Sequence, residues 1–184
     1  LDVIAPARTD FDLSKADHVK AYIIQERPDV IIHCAAYTAV DKAEEEKDLC
    51  YMINVEGTRA LAEAAKLIGA KVVYISTDYV FGGIKDKPHD EYEDTNPINH
   101  YGYTKEQGEK IIKEMIEKYF IVRTSWLYGR NGNNFVKKMI ELAQTHEKIS
   151  VVSDQVGAPT YTIDLAKFVL DLVATEHYGI YHGV

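Results

Sequence analysis

The chain has 184 residues, of which 46% are hydrophobic and 27% are charged, and its formal net charge is −8. This length and composition predict one domain, over residues 1–184, with a sizeable core. The negative charge argues against a nucleic-acid-binding protein, because phosphate binding needs clustered Lys and Arg. A small molecule or another protein is the expected partner.

The cysteines and histidines predict neither a disulfide framework nor a metal site. Cys34 lies in an apolar run and Cys50 in a helical stretch, which fits a reducing cytoplasm. The seven histidines lack the spacing of zinc ligands, so no bound metal is expected. No run approaches the roughly 18 apolar residues of a membrane span, and no signal-peptide pattern is present. We therefore expect a cytoplasmic protein that binds neither nucleic acid nor membrane.

Short apolar runs predict the strands of a parallel sheet. They alternate with longer segments of helical period, which is the pattern of stacked βα units. The predicted strands are 1–5, 29–35, 71–76, 120–123 and 149–152. The second of these is almost continuously apolar, as in a strand that helices cover on both faces. The predicted fold class is α/β, with a Rossmann-like doubly wound parallel sheet.

Cap residues and amphipathic spacing predict five helices between the strands. Ser14 is the expected N-cap of the first helix, and Gly69 is the expected C-cap of the second. The predicted helices are 15–24, 49–68, 101–119, 134–143 and 163–173. Residues 81–100 form a long polar segment with two Gly and two Pro, and segments of this length are usually functional or mobile.

Residues just after the predicted strands carry the candidate chemistry, since ligands of open parallel sheets bind beyond the carboxyl ends of the strands. Thr77 follows the third strand, and Tyr101 and Lys105 lie four residues apart on one face of a helix. A nearby ammonium favours a phenolate, so Lys105 is expected to lower the pKa of Tyr101 from about 10. With the Thr77 hydroxyl bonded to the same carbonyl oxygen, the three side chains would polarise a ketone for hydride attack.

Each of these residues also has an ordinary structural explanation. A Tyr and a Lys at this spacing occur often in helices by chance, and a Thr at a strand end is commonly a capping or turn residue. The order of strand, Ser-Thr, long loop and Tyr-x-x-x-Lys favours the catalytic interpretation. Tyr103 has no Lys at the same spacing and is expected to pack.

Six sequence blocks between residues 34 and 160 resemble the dTDP-4-dehydrorhamnose reductases, which belong to the extended short-chain dehydrogenase/reductase class. The blocks are 34–44, Ser-Thr-Asp-Tyr-Val-Phe at 76–81, Tyr101-x-x-x-Lys105, Arg-Thr-Ser-Trp-Leu-Tyr-Gly at 123–129, 132–135 and 154–160. Sugar-nucleotide dehydratases have a Glu where Tyr79 stands here, so elimination of water is disfavoured. Epimerases keep the Tyr and Lys but lack the Thr-Asp-Tyr-Val-Phe block, so reduction of a ketone is the better fit.

The resemblance implies a reaction and a set of site residues. The reaction is the reduction of the C4 keto group of dTDP-4-dehydro-L-rhamnose to dTDP-L-rhamnose by NADPH, or alternatively NADH, in polysaccharide biosynthesis, and a homodimer is an expected assembly. The implied catalytic residues are Thr77, Tyr101 as proton donor, and Lys105, which would also hold the nicotinamide ribose. The implied cofactor-binding residues are Asp12, Leu13, Ala35, Ala36, Tyr37, Asn54, Tyr101 and Lys105. The implied substrate-binding residues are Asp78, Tyr79, Trp126, Asn134 and Phe135, with residues 155–160 as a cleft loop.

Several of these residues have structural alternatives that the sequence leaves open. Asp12 could serve only as an N-terminal partner of the first helix, since carboxylates are favourable there. Asn54 could be a plain polar helix residue, and Trp126 could belong to the core. Gly157 and Pro159 could simply shape a turn.

The chain departs from the family pattern in one respect that concerns the cofactor. A dinucleotide fold of this kind needs a glycine-rich turn after its first strand, and none occurs here. We therefore expect a fragment that lacks the first βα unit and the family's C-terminal substrate-binding portion. The alternatives are an inactive fragment, or a non-catalytic binding or regulatory subunit, such as a relative of the methionine adenosyltransferase regulatory subunit. The retained Thr77, Tyr101 and Lys105 count against such a subunit.

Overall fold

The computed structural model describes residues 2–83 and 87–184. Its strands are β1 (Val30–His33), β2 (Lys71–Thr77), β3 (Tyr119–Thr124), β4 (Leu127–Tyr128), β5 (Thr160–Tyr161) and β6 (Gly179–His182). Four of them form one sheet in the order β1-β2-β3-β6, and every neighbouring pair is parallel. The short strands β4 and β5 pair separately, also in parallel. The predicted α/β fold with a parallel sheet is confirmed.

Helices connect the strands of this sheet. They are α1 (Ala16–Glu26), α2 (Val40–Ala43), α3 (Lys47–Tyr51), α4 (Gly57–Ile68), α5 (His100–Met115), α6 (Phe135–Thr145) and α7 (Thr162–Val173). A π-helix, Met52–Glu56, joins α3 to α4, and a 3₁₀ turn, Asp78–Val80, follows β2. None of the helices in the described ranges is both long enough and apolar enough to cross a lipid bilayer.

The core lies on both faces of the sheet, as a doubly wound fold requires. Alternate residues of β2 point to opposite faces. Val72 and Tyr74 pack with residues of α1, α4 and α5, whereas Val73 packs with residues of α7. These β2 side chains are almost completely buried, because helices cover the strand on each side.

The predicted helix boundaries are largely confirmed. Gly69 ends α4 with a φ of 75°, a left-handed conformation that glycine adopts without a steric penalty. The third predicted helix, 101–119, is too long, because α5 ends at Met115 and Tyr119 already pairs with Val72 as the first residue of β3. Ser14 is not the N-cap of α1. That position is taken by Lys15, and the Ser14 hydroxyl donates a hydrogen bond to Asp12 instead.

Two predicted strands are wrong. Residues 2–5 and 149–152 pair with no strand, and their apolar side chains are exposed, including Val3 at 79% and Val152 at 64%. Periodicity alone cannot show whether an apolar run finds a sheet neighbour. The fourth strand of the sheet is instead β6, which pairs with β3. Leu1, of the first predicted strand, and residues 84–86, of the long polar segment, lie outside the described residues.

Candidate active site

The carboxyl edge of the sheet brings the candidate catalytic residues together. Thr77 ends β2, and the 3₁₀ turn that follows packs against the start of α5. Asn99 caps this helix by accepting a hydrogen bond from the Gly102 amide at 2.7 Å. A Cβ atom at Gly102 would lie 2.1 Å from the Tyr79 carbonyl oxygen, so a glycine is needed for this close approach. The approach sets Tyr101, one residue earlier, beside Thr77.

Tyr101 is 8% exposed, and the Thr77 side chain lies near enough to its phenol to influence the pKa of that phenol. Its ring also meets the ring of Tyr79 edge to face, with centroids 5.8 Å apart. Burial raises the pKa of Tyr101 to about 12, while the polar side chain of Thr77 acts in the opposite direction without overcoming burial. The phenol is therefore protonated near neutral pH, which is the form of a proton donor.

Lys105 is buried one helical turn from Tyr101. Its Nζ donates a hydrogen bond to the Ile75 carbonyl oxygen at 2.7 Å and lies 3.9 Å from the centre of the Tyr74 ring. Burial lowers the pKa of Lys105 to about 7, and the nearby Glu109 carboxylate opposes that shift. The expectation that Lys105 lowers the pKa of Tyr101 is wrong for this geometry, because burial of the phenol decides the direction.

The predicted cofactor-binding residues after β1 lie next to this helix. Ala35 is exposed, and Ala36 and Tyr37 are half-buried. The side-chain amide of Asn54 accepts a hydrogen bond from the Tyr37 backbone amide at 2.7 Å and donates one to the Tyr37 carbonyl oxygen at 3.1 Å. It also donates to the Thr104 hydroxyl at 3.0 Å. Asn54 thus holds the segment after β1 against the catalytic helix, so it is more than a plain polar helix residue.

Asp12 and Leu13 occupy a structural position before α1. One Asp12 carboxylate oxygen accepts hydrogen bonds from the backbone amide and the hydroxyl of Ser14, and these bonds lower the Asp12 pKa. Leu13 is buried in the core and lies against Gly57, where a Cβ atom would come within 2.7 Å of the Leu13 carbonyl oxygen. This geometry favours the structural alternative for Asp12, since its carboxylate is engaged by its own turn.

Most of the predicted substrate-binding residues meet around the same edge. Asp78 directly follows Thr77, accepts its hydroxyl hydrogen bond at 3.0 Å, and has its pKa raised by burial. Trp126 is 45% exposed and has a φ of 44°. A Cβ atom at Gly157 would lie 2.7 Å from the indole, so the predicted cleft loop packs closely on this ring. The exposed fraction shows that Trp126 is not a core residue.

The cleft loop is fixed to the strand end by two further hydrogen bonds. The Ser125 hydroxyl donates to the Ala158 carbonyl oxygen at 2.6 Å, and the Thr160 amide donates to the Trp126 carbonyl oxygen at 3.3 Å. Residues 155–160 are therefore held beside Trp126 by hydrogen bonds and do more than form a turn.

Asn134 is the N-cap of α6. Its side chain accepts a hydrogen bond from the Lys137 amide at 3.1 Å and donates one to the Gly129 carbonyl oxygen at 3.0 Å. Phe135 beside it is largely exposed. Asn134 also lines a hollow of about 440 Å³ with Lys137 and neighbouring α6 side chains, and none of the three candidate catalytic residues contributes to its wall.

The sequence analysis did not predict a buried charged cluster that lies next to the site. Glu109 follows Lys105 by one helical turn on α5 and accepts hydrogen bonds from Arg123, on β3, and from the Ser76 hydroxyl, on β2. The signal was present, because Arg123 interrupts an apolar strand and Glu109 lies on the inward face of an amphipathic helix. No group of three or more His, Cys, Asp or Glu side chains suited to a metal ion occurs in the described part of the chain.

Comparison with known proteins shows which family the sequence resembles. A family model described as the RmlD substrate binding domain matches residues 1–184. The chain is 41% identical over 182 residues to a dTDP-4-keto-6-deoxy-D-glucose reductase from Streptomyces niveus and 41% identical over 189 residues to a dTDP-4-dehydrorhamnose reductase from Sinorhizobium fredii. These alignments cover 98% and 99% of this chain but 63% and 64% of the relatives.

A solved structure gives the same result. A dTDP-4-dehydrorhamnose reductase from Bacillus anthracis, in complex with NADP, is 51% identical with a TM-score of 0.96, and the match covers 98% of this chain and 64% of that one. The chain thus spans a little under two thirds of the length of its relatives. Since the family model matches residues 1–184, the chain belongs to the RmlD substrate binding domain family.

Proposed function

We propose that the intact protein is a dTDP-4-dehydrorhamnose reductase, which uses NADPH to reduce the C4 keto group of dTDP-4-dehydro-L-rhamnose to the hydroxyl of dTDP-L-rhamnose. The observation that carries this proposal is the contact of Thr77 with a buried, protonated Tyr101, with Lys105 one helical turn away. A proton donor and a second hydroxyl at one point are what reduction of a ketone needs, because negative charge develops on the carbonyl oxygen.

The side chains would divide the work as follows. Thr77 hydrogen-bonds the C4 oxygen of the sugar and orients it towards Tyr101. The Tyr101 phenol gives its proton to that oxygen as the C–O double bond becomes a single bond. Lys105 would stabilise the resulting phenolate once the bound reactants draw its ammonium away from the Ile75 carbonyl oxygen, since an opposite charge nearby favours the charged form. Water must then return the proton to Tyr101 before the next turnover.

The residues at this edge fit a nicotinamide cofactor. Ala35 and Ala36 give the segment after β1 small side chains, and Asn54 fixes the adjoining Tyr37 backbone. Lys105 and Tyr101 would hold the ribose hydroxyls, and Ala35, Ala36 and Tyr37 would line the channel. When bound, NADPH would supply the hydride that reduces C4. The NADP in the Bacillus anthracis relative supports this assignment.

The substrate side would be formed by Asp78, Tyr79 and Trp126. Tyr79 and Trp126 each present an exposed aromatic face, and aromatic rings pack well on the apolar faces of sugars. Asn134 and Phe135, at the start of α6, would lie near the nucleotide portion of the substrate. Since the Asn134 amide already caps α6, Phe135 is the stronger candidate for direct contact.

The proposal is tested by the loss of NADPH absorbance in the presence of the keto-sugar nucleotide. We expect the intact protein to oxidise NADPH with dTDP-4-dehydro-L-rhamnose and to release dTDP-L-rhamnose. The 4-keto-6-deoxy-D-glucose nucleotide serves as the competing substrate, because a relative carries that name. NADH in place of NADPH tests the cofactor preference. Absence of turnover with every combination, despite nucleotide binding, would favour the non-catalytic binding subunit.

We further propose that residues 1–184 form one NAD(P)-binding domain of a cytoplasmic enzyme that works without nucleic acid or membrane and assembles as a homodimer. The family assignment and the parallel sheet support the domain. Light scattering of the intact protein, with and without NADPH, measures the assembly. A monomer at the concentration of the activity assay would contradict the homodimer.

A further inference from the structure

Unpaired polar atoms in the interior collect at one edge of the molecule. In the described ranges, the buried side-chain atoms without a hydrogen-bond partner are Thr124 Oγ1, Thr160 Oγ1 and His182 Nε2. Thr124 is the last residue of β3, His182 is the last residue of β6, and Thr160 lies in β5 beside the turn that carries Trp126. Thr124 and His182 therefore lie at the carboxyl edge of the sheet, where the candidate active site begins, and Thr160 begins the short strand beside Trp126.

Thr124 is the member of this set that lies next to the catalytic residues. It pairs in register with Thr77, and paired residues of neighbouring parallel strands are about 5 Å apart with side chains on the same face. Thr77 in turn meets Tyr101. The Thr124 side chain is thus one strand spacing from the hydroxyl that is expected to touch the reacting carbonyl oxygen.

An unpaired buried hydroxyl lowers the stability of the fold, so stability does not explain why a threonine stands at position 124. Thr124 is only 5% exposed, so its hydroxyl has lost its water without gaining a protein partner. Such groups are rare in folded proteins, because leaving a buried donor unmatched is unfavourable. Valine would fill the same space without that cost. By contrast, the neighbouring Ser125 hydroxyl is paired with the Ala158 carbonyl oxygen.

We propose that Thr124 is a further binding residue of this site, whose hydroxyl forms its hydrogen bond with a polar group of the bound reactants. The proposal rests on the proposed reduction and adds a residue to it. The partner is a hydrogen-bonding group that lies beside the reacting carbon. Such a group is present both in the carboxamide of a nicotinamide ring and in the hydroxyls of a sugar, and the two sources are separated by experiment.

The test compares Thr124→Val with Thr124→Ser in the intact protein. Thr124→Val keeps the shape and removes the hydroxyl, so we expect unfolding in urea without ligands to be unchanged or to require more denaturant. Its kcat/KM should fall about tenfold, the effect of one hydrogen bond of ordinary strength. Thr124→Ser keeps the hydroxyl and should recover most of the lost activity.

Two binding measurements identify the source. If the nicotinamide ring supplies the group, the Kd for NADPH without sugar rises in Thr124→Val. If the sugar supplies it, the Kd for NADPH is unchanged and the KM for the keto sugar rises. Either result supports the proposal. An unchanged kcat/KM in Thr124→Val, or a loss that Thr124→Ser does not recover, would overturn it.

A matched substitution provides the control. The Thr175 hydroxyl donates to the Leu172 carbonyl oxygen at 2.8 Å, near the amino end of β2 and so at the opposite edge of the sheet. Thr175→Val removes a satisfied hydrogen bond, so it should unfold at lower urea while kcat/KM stays that of the wild type. If the wild-type protein itself shows no turnover, the reductase proposal fails separately, and the NADPH Kd of Thr124→Val still tests the role of this hydroxyl.

Discussion

Both carboxylate oxygens of Glu109 accept hydrogen bonds from the guanidinium of Arg123, at 3.0 Å from Nε and 2.8 Å from Nη2, and both side chains are buried. The pair joins α5 to β3 one helical turn beyond Lys105. Arg123 also reaches the Glu91 carbonyl oxygen at 3.3 Å, so the same guanidinium anchors part of the long segment that precedes α5.

We expect Glu109→Gln to lower the free energy of unfolding by about 3 kcal/mol, because removal of one partner leaves a buried charge uncompensated. Urea unfolding at neutral pH measures the change. The double variant Glu109→Gln, Arg123→Met removes both charges and should be less destabilised than the single variant. Equal or greater destabilisation of the double variant would contradict the role of the unpaired guanidinium.

Tyr101→Phe should reduce kcat of the intact protein by about two to four orders of magnitude, the usual contribution of a positioned proton donor. The phenyl ring keeps the contact with Tyr79 and loses one of the two groups proposed to hold the ribose, so the Kd for NADPH should rise by no more than about tenfold. Stopped-flow measurement of NADPH oxidation gives kcat, and quenching of Trp126 fluorescence gives Kd. Tyr103→Phe, two residues away on the same helix, is the control and should retain activity. Near-normal turnover in Tyr101→Phe would rule out the proposed mechanism.

The pH dependence of kcat/KM should show one falling limb that belongs to Lys105. Because burial lowers the pKa of Lys105 to about 7, the ammonium is lost as the pH rises through that value. Tyr101, with a pKa of about 12, stays protonated over the same range. We therefore expect kcat/KM to fall about tenfold per pH unit above the Lys105 pKa. A profile that stays flat to about pH 9 would show that the ammonium is not required.

The same buried ammonium should make stability depend on pH. The folded-state pKa of Lys105, about 7, is below its usual value of 10.5, so between these values the unfolded chain binds more protons than the folded one. Stability consequently rises with pH across this window, and the destabilisation is complete below it. Lys105→Met removes this destabilisation, so the variant should have a higher free energy of unfolding than the wild type. The difference between the two free energies should shrink by about 2 kcal/mol from about pH 7 to about pH 9. An advantage that is constant across this range in urea unfolding would argue against a buried, depressed lysine.

Gly157→Ala should disturb the Trp126 side of the cleft. The added methyl group would lie 2.7 Å from the indole, so the ring or the loop must move. We expect a shifted tryptophan emission maximum and a several-fold higher KM for the sugar nucleotide, with kcat affected less. Trp126 is the only tryptophan of residues 1–184, so the emission of this part of the protein reports on its indole. Gly132→Ala is a poor control, because Gly132 has a positive φ that disfavours alanine. Ala143→Gly, at an exposed position of α6, is the control for a substitution far from the indole. An unchanged emission maximum would show that the contact is relieved without moving the indole.

The positions of the candidate catalytic residues in the fold were predictable because their spacing is local. Tyr101 and Lys105 share a helix, and Thr77 ends a strand whose apolar run is clear in the sequence, so helix and strand periodicity suffice to place them at one edge. The strand β6 and the exposed run 149–152 were not predictable in the same way. Which apolar run enters a sheet depends on contacts distant in sequence, and periodicity does not encode those.

The pKa values and hydrogen-bond partners of the site residues were harder to predict than their positions. A Lys four residues from a Tyr suggests a lowered phenol pKa, but the structure reverses this direction because the phenol is buried and the ammonium is bonded to the Ile75 carbonyl oxygen. Asn134, which the resemblance places near the substrate, also caps α6 with its side chain, and this second role is not visible in the sequence. Burial and hydrogen-bond partners follow from the assembled fold and are not visible in residue order.

The π-helix Met52–Glu56 makes the fold sensitive to the number of residues in this segment. Its wider turn adds backbone between α3 and α4. Cys50, Asn54 and Thr58 remain buried and are linked by hydrogen bonds. Asn54 Nδ2 donates to Cys50 Sγ, and the Thr58 hydroxyl donates to the Asn54 carbonyl oxygen. A π-turn contains one residue more than the α-turn that it replaces. Deletion of a single residue within 52–56 would therefore return this stretch to an α-helix, and the bulge that holds Asn54 against the Tyr37 backbone would be lost.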